Sequence, residues 1–161
     1  MYRSVLALMF GVGVAAGVVA GGDRTEDPTS AEIITLERDA LERFRRGDPS
    51  RFLELSTADV TYFDPFQEKR LDGLPALTAL YDQLRGRVAV DRFEMVDPKV
   101  QHWHDTAVLT FNLLSLGGAR TERWNCTEVY RHLDGRWRIV QTHWSFTKAG
   151  LTGASQPGDG V

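Results

Sequence analysis

Apolar residues recur at intervals of three and four in the first half of the sequence and at intervals of two in the second half. The wider spacing predicts an amphipathic helix whose buried face carries Ile33, Leu36, Ala40, Leu41 and Phe44. Thr29 and Glu32 have the spacing of a capping box, which predicts where this helix begins. Arg45, Arg46 and Gly47 predict its end.

Two shorter helices are predicted after it. Asp48 as a cap and Pro49 at the first position indicate a second helix, with Phe52 and Leu55 facing inward. Between the second and third helices, the β-branched and aromatic residues of 60–63 predict a strand. Gly73 precedes a third helix over residues 74–84, which Gly86 ends.

The period of two predicts four long antiparallel strands over residues 88–103, 107–116, 121–133 and 137–147. Gly117-Gly118 and Asp134-Gly135 are typical hairpin turns between the last three of them. Helices that precede a meander of this kind predict an α+β fold, with three N-terminal helices packed on one face of a curved antiparallel sheet. Such a sheet closed by a helix forms a cone with a pocket inside it.

The first twenty residues have a different pattern. Arg3 is followed by an apolar run that ends at small residues near Ala20, which predicts a secretory signal peptide over residues 1–20 and an exported, periplasmic or extracellular protein. An uncleaved membrane anchor formed by the same segment is the alternative, because the run is about as long as a spanning helix. We expect a spacer over 21–29, the folded domain over 30–148, and a disordered tail over 149–161 that is rich in Gly, Ser and Pro.

Composition narrows the classes of function. The 161 residues include 19 Lys and Arg against 22 Asp and Glu, a net charge of −3 that argues against nucleic-acid binding. Cys126 is the one cysteine, so no internal disulfide or thiolate zinc cluster is expected. No phosphate-binding glycine loop or nucleophile elbow is found, and we expect no cofactor and no metal. The alternative is a metal held by His102 and His104 with His143 or Asp105.

Alternation along the strands places two carboxyl groups among aromatic residues. Asp64 ends the first strand, and Glu128 shares one face of its strand with Trp124, Cys126 and Tyr130. The predicted ligand pocket is formed by Tyr62, Phe66, Trp124, Tyr130 and Trp144. Two neighbouring carboxyl groups in an apolar site separate their pKa values, so Asp64 would act as a general base and Glu128 as a protonated donor. The substrate would be an apolar carbonyl compound or epoxide.

Other roles for these acids remain open. Asp64 precedes a proline and could simply fix a turn, and Glu128 could pair with an arginine. An aromatic cage with two acids could also hold an amine without any chemistry. The partner is therefore expected to be a small apolar or amine-bearing ligand.

Two stretches resemble the nuclear transport factor 2-like superfamily, which includes ketosteroid isomerases, SnoaL-type cyclases and the association domain of calcium/calmodulin-dependent kinase. They are residues 60–66 with the glycine and apolar helix that follow, and the last hairpin with Glu128, Trp137 and Trp144. The resemblance implies that Asp64 is in the place of the isomerases' general base, Glu128 in that of an oxyanion donor, and Trp144 in that of a pocket aromatic. Ala40 stands where the isomerases have a tyrosine donor, which departs from their site.

The opposite face of the last strand carries Trp137, Ile139, Gln141 and His143. Apolar residues on an outer sheet face are typical of an interface, so we expect a homodimer through the outer sheet face. Three functions follow from the sequence. The first is an exported small-molecule-binding pocket protein of the SnoaL-like type, the second is an isomerase, dehydratase or cyclase, and the third is a dimeric assembly module with a vestigial pocket.

Overall fold

A computed structural model describes residues 27–88, 90–118 and 120–147. The signal peptide, most of the spacer and the tail predicted above lie outside the described residues. The elements in chain order are α1 (Pro28–Arg45), α2 (Ser50–Leu55), β1 (Ser56–Phe63), β2 (Leu71–Asp72), α3 (Leu74–Leu84), β3 (Arg92–Trp103), β4 (Thr106–Gly117), β5 (Arg120–Leu133) and β6 (Arg136–Phe146). The predicted helices and long strands are all present, and the short strand β2 was not predicted.

Both of the first helices begin differently from the prediction. The side chain of Asp27, not that of Thr29, caps α1, because its Oδ2 accepts the backbone N–H of Ser30 at 2.8 Å. Pro28 then occupies the first helical turn, where its missing N–H costs nothing. Helix α2 starts at Ser50, and Asp48 forms a turn before it by accepting the N–H of Ser50 at 3.0 Å.

The strands form one six-stranded sheet in the order β2-β1-β6-β5-β4-β3. The β3–β4, β4–β5 and β5–β6 pairs are antiparallel, as the meander pattern predicts. Strand β1 pairs with β6 in parallel, so the sheet is mixed rather than wholly antiparallel. A parallel pair requires a long crossover connection, and here α3 and the meander provide it.

The register of β5 and β6 shifts by one residue where Val129 pairs with Gln141 and Tyr130 pairs with Ile139. Such a bulge reverses which face the side chains on either side of it occupy. Trp137 and Ile139 are therefore buried, with 6% and 1% of their surface exposed. The prediction that they form an apolar patch on the outer face of the sheet is wrong.

The core lies between the helices and the concave face of this sheet. Helix α1 packs against β3, and α3 packs against β1. The largest side chains buried there include Tyr130, Ile33, Leu109 and Ile139. Within the described ranges, no helix combines the length and the apolar character that crossing a bilayer requires.

Candidate ligand pocket

A pocket of about 260 Å³ opens between the helices and the concave face of the sheet. Most of its lining is apolar, as is typical of small-molecule sites. The aromatic residues of the lining are Phe44, Phe52, Tyr62, Phe66, Tyr81, Phe93, Trp124 and Trp144. The aliphatic ones are Leu41, Leu84, Val88, Val90 and Leu113, and the polar ones are Asp64, Ser115 and Glu122.

Four of the five aromatic residues predicted for the pocket line it: Tyr62, Phe66, Trp124 and Trp144. Trp124 and Trp144 come together because β5 and β6 are neighbours, and their rings lie 6.4 Å apart at 87°. Phe66 follows β1 and reaches across the mouth to Trp124, with ring centroids 5.9 Å apart. It is 70% exposed, so it forms the rim of the pocket.

Asp64 lies at the pocket wall directly after β1. Its Oδ1 accepts the backbone N–H of Phe66 at 2.7 Å, and its backbone carbonyl accepts the N–H of Gln67 at 3.3 Å. Asp64 therefore fixes the turn, as the simpler of the two interpretations predicted. The same bond orients the carboxyl group at the pocket, so the structural role and a role in the site are compatible.

The hydroxyl of Tyr62 is the neutral polar group beside this carboxylate. Tyr62 is buried, and its ring packs edge-to-face on Tyr81 at 5.9 Å. Burial raises the pKa of Tyr62 well above its usual value, and the adjacent Tyr81 and Asp64 raise it further. Tyr62 consequently keeps its proton at neutral pH and can donate it to an acceptor in the pocket.

Glu128 and Tyr130 are not part of the pocket lining, which corrects two of the sequence assignments. Both are fully buried under the helices, because the inward face of β5 continues past the pocket into the core. The Glu128 carboxylate accepts the hydroxyl of Tyr130 at 2.7 Å and that of Thr142 at 2.8 Å. The prediction that Glu128 pairs with an arginine is not met either, since these two hydroxyl groups are its side-chain partners in the described residues.

Glu37 of α1 completes this buried cluster and is not among the residues predicted from the sequence. It has no exposed surface, and the hydroxyl of Tyr130 lies 3.2 Å from its Oε2. Burial and the adjacent Glu128 carboxylate raise the pKa of Glu37 well above its usual value. Burial raises the pKa of Glu128 as well, and the hydroxyl groups of Tyr130 and Thr142, which donate to its carboxylate, oppose that rise. The pKa is raised more strongly at Glu37 than at Glu128, so Glu37 is the carboxyl group of the pair that burial favours in its protonated form.

A sequence signal for Glu37 was present. The residue lies four positions after Ile33 and four before Leu41, on the apolar face of its own helix. An acid on such a face requires a buried partner. The signal for Glu122 was weaker, because it lies two residues before Trp124 on the same face of β5 but near the exposed start of that strand. Its partner across the sheet is Ser115, which is also in the lining.

The histidines considered as metal ligands have other surroundings. The Nε2 of His102 lies 3.0 Å from Oδ2 of Asp27, the cap of α1. The rings of His143 and Phe63 lie 5.6 Å apart and are tilted by 47°. In the part of the chain that the structure describes, no three His, Cys, Asp or Glu side chains converge as metal ligands would.

Known proteins resemble this chain in sequence and in fold. The sequence profile of a family described as "SnoaL-like domain" matches residues 33–149. No curated protein matches the chain. A proposed ketosteroid isomerase from Parabacteroides distasonis is 45% identical, covers 77% of this chain and 91% of its own length, and superposes with a TM-score of 0.69.

Two more distant structures share the fold. A proposed dehydratase of the nuclear transport factor 2-like family from Streptomyces avermitilis is 24% identical, with coverage of 75% and 98% and a TM-score of 0.60. The association domain of C. elegans CaMKII is 21% identical, with coverage of 73% and 95% and a TM-score of 0.63. At these identities the likeness shows the fold alone. The expected cone-shaped nuclear transport factor 2-like architecture is confirmed.

Proposed function

This chain belongs to the SnoaL-like domain family, and we propose that it binds a small apolar ligand between its helices and its sheet. The observation that carries the proposal is the pocket of about 260 Å³, whose wall is mainly aromatic and aliphatic. Its volume is slightly below the range of about 300–1,000 Å³ typical of drug-sized ligands, which favours a smaller molecule. The family fold alone would not support this conclusion, because one fold hosts many functions.

The test is isothermal titration calorimetry with 1-naphthylmethanol, a small neutral aromatic compound. Val90 lines the pocket from the segment between α3 and β3, so Val90→Trp fills the space without replacing a residue of a helix or strand. We expect wild-type protein to bind and Val90→Trp to bind about tenfold more weakly or not at all. The matched control is Ala79→Trp, which adds the same ring at an exposed position of α3.

Two results would count against a ligand pocket. One is the absence of binding to folded wild-type protein, and the other is equal binding by wild-type protein and Val90→Trp. Either result would favour the third function considered above, a dimeric assembly module with a vestigial pocket.

A second candidate function is an enzyme of the isomerase or dehydratase type. The 45% identity to a proposed ketosteroid isomerase favours it, together with the position of Asp64 and Tyr62 in one pocket. The Asp64 carboxylate would remove a proton from the carbon next to a carbonyl group. The electron pair of that C–H bond would form a carbon–carbon double bond, and the π electron pair of the carbonyl group would move to its oxygen. The hydroxyl of Tyr62 would donate a hydrogen bond to this oxygen and so act as the donor, the role predicted for Glu128 from the sequence.

Proton exchange tests this chemistry without a known substrate. The α-protons of 2-tetralone are followed by NMR in D₂O, where enolate formation and return replaces them by deuterium. We expect the protein to accelerate the exchange, Asp64→Asn to abolish the acceleration, and Tyr62→Phe to reduce it by about 10²-fold. Exchange at the uncatalysed rate with protein that binds 2-tetralone would refute the enzyme proposal and leave the binding proposal intact.

We also propose that the protein is exported and forms a homodimer through the outer sheet face. The pattern of residues 1–20 supports export, and a mass lower by that segment in protein recovered outside the cytoplasm would test it. The dimer is supported by the name of the CaMKII association domain, which shares the fold, and by a patch on the outer face. In this patch, Val108 of β4 is opposite Val129 of β5, and Thr110 is opposite Thr127. His143 of β6 is the next residue across the sheet from Thr127, and Phe63 of β1 follows it.

A further inference from the structure

The pocket wall carries two carboxyl groups at positions that flank its aromatic rim. Glu122 lies two residues before Trp124 on the same face of β5, and Asp64 lies two residues before Phe66. Phe66 and Trp124 contact each other edge-to-face, and both acids line the same pocket as this pair of rings. No Lys, Arg or His is found among the described residues of the lining.

Neither carboxylate is neutralised by a cation that the structure describes. Asp64 accepts a hydrogen bond from the backbone N–H of Phe66, which is not a charged donor. Glu122 forms no ion pair in the described residues, although Arg120 and Arg123 are close to it along β5. A purely apolar ligand would therefore remove water from carboxylates and offer them nothing in exchange. An anionic ligand would add repulsion to that cost.

The aromatic rim is suited to a positive charge. Trp124 packs on Phe146 with ring centroids 4.5 Å apart, and Phe66 packs on Phe146 at 5.5 Å. Of these three rings, Phe66 and Trp124 line the pocket, and Phe146 packs against both of them. A cation over the face of such a ring is attracted by the ring quadrupole, and a nearby carboxylate adds to the attraction.

We propose that the ligand of this pocket is a small apolar molecule with one protonated amine, whose ring or chain occupies the aromatic interior and whose ammonium group lies at the rim between Asp64 and Glu122. This inference rests on the proposed function, because it names the chemical class of the ligand that the pocket takes. The ammonium group supplies the positive charge that neither carboxylate has as a partner in the described residues, and it keeps contact with water at the mouth.

A series of three compounds with one ring system tests the inference: 1-naphthylmethylamine, 1-naphthylmethanol and 1-naphthoate, measured by calorimetry at pH 7 and low salt. We expect the cationic amine to bind about tenfold more tightly than the neutral alcohol. The anionic carboxylate should bind more weakly than the alcohol.

Two variants locate the preference. Asp64→Asn keeps the oxygen that accepts the Phe66 N–H, and Glu122→Gln keeps the size of the side chain. Each should reduce the ratio of the affinity for the amine to the affinity for the alcohol by about three- to fivefold. Glu68→Gln removes one exposed carboxylate outside the lining and serves as the control for net charge.

The possible results distinguish failure of the amine inference from failure of the ligand pocket itself. If the alcohol binds and the amine binds no better, the inference is overturned and the apolar pocket stands. The same holds if both variants lose affinity for the amine and the alcohol equally, or if Glu68→Gln has the same effect as the two pocket variants. If no compound of the series binds to folded protein, the proposed function fails together with the inference.

Discussion

Glu37 is an acidic residue at a position where its helix requires an apolar one. It lies on the buried face of α1 and meets Glu128 and Tyr130 of β5 in the core. Two ionised carboxylates cannot share such a site, since burial penalises each charge and the two repel each other. A proton on Glu37 removes one of the two charges, and Oε2 of Glu37 lies 3.2 Å from the Tyr130 hydroxyl, which donates to Glu128. The proton is thus part of the packing between α1 and the sheet.

The first prediction concerns how stability depends on pH. Folding raises the pKa of Glu37 above its ordinary value of 4.5, so the native state keeps a proton that the unfolded chain has released. Stability is then complete below that ordinary value and falls as the pH rises towards the pKa of the folded state, by at most about 1.4 kcal/mol per pH unit. We expect the thermal midpoint of wild-type protein to decrease from pH 5 to pH 9, and Glu37→Gln to show a flatter profile.

The control for this experiment is Glu32→Gln, which removes an exposed carboxylate from the same helix. Its pH profile should follow that of wild-type protein. Equal slopes for wild-type protein and Glu37→Gln would contradict the assignment of the buried proton to Glu37.

At the scale of the elements, the bulge between β5 and β6 has the largest consequence. It adds one residue between Ile139 and Gln141, so the strand buries Trp137 and Ile139 before the bulge and Thr142 after it. Without the bulge, every second residue of β6 would face the same side of the sheet along the whole strand. Trp137 and Ile139 would then face outward, as predicted from the sequence.

The second prediction tests this placement of Trp137. Because its ring is buried, Trp137→Ala should destabilise the fold by about 3–5 kcal/mol, measured by denaturant unfolding. Trp103→Ala is the matched control, since Trp103 is 58% exposed at the end of β3 and should change stability by about 1 kcal/mol or less. Similar costs for the two substitutions would contradict the register shift.

Two glycine turns next to the helices also meet closely. Gly47 follows α1 with φ +82°, and a Cβ added there would lie 2.9 Å from the Cα of Gly86, which follows α3. The N–H of Gly86 donates to the carbonyl of Gly47 at 2.9 Å. Both the left-handed backbone and the lack of a side chain are therefore required at Gly47.

The third prediction compares Gly47→Ala with Gly135→Ala. Both substitutions place a Cβ in a left-handed conformation, at a cost of about 1–2 kcal/mol. Gly135 has open space around it, whereas Gly47 would also push against backbone, so its substitution should cost about 1–3 kcal/mol more. The measurement is the midpoint of thermal unfolding of the two variants. Equal midpoints would contradict the prediction, because they would show that the turn at Gly47 moves away from Gly86 at no cost in stability.

For the whole molecule, local pattern was enough to predict the elements but not their partners. Helix α3 has the predicted bounds, and the four long strands differ from their predicted bounds by a few residues at most, because alternation between two environments is strong there. The parallel pairing of β1 with β6 was not predicted, since no local pattern specifies which distant strand completes a sheet. The extra residue of the bulge was not predicted either, because β6 carries apolar residues at both odd and even positions and the sequence does not show where the buried set changes.

The candidate site was predicted in part for the same physical reason. Alternation gave the face of Trp124 and Tyr130 correctly, but it contains no information on depth along the strand. Trp124 consequently lines the pocket, and Tyr130 lies in the core beyond it. The acid that accompanies Asp64 at the pocket is Glu122 and not Glu128, which has the same side-chain chemistry at a different depth.

The fourth prediction concerns assembly. Thr127 lies on the outer face of β5 between Thr110 and His143, in the centre of the proposed dimer patch. Thr127→Arg would place a charge at a two-fold contact, so we expect the mass measured by light scattering to fall from two chains to one. Thr35→Arg, at an exposed position of α1, is the control. A single chain in wild-type protein would refute the dimer.

The most direct test of a ligand pocket is a crystal structure of the protein grown with 1-naphthylmethylamine at a saturating concentration. We expect density for the ring system between Phe93, Leu113 and Trp144, with the amine directed towards Asp64 and Glu122 at the rim. Density for the ring with the amine directed elsewhere would contradict the charge inference only. A pocket closed by its own side chains, with the compound bound on another surface, would contradict the account as a whole.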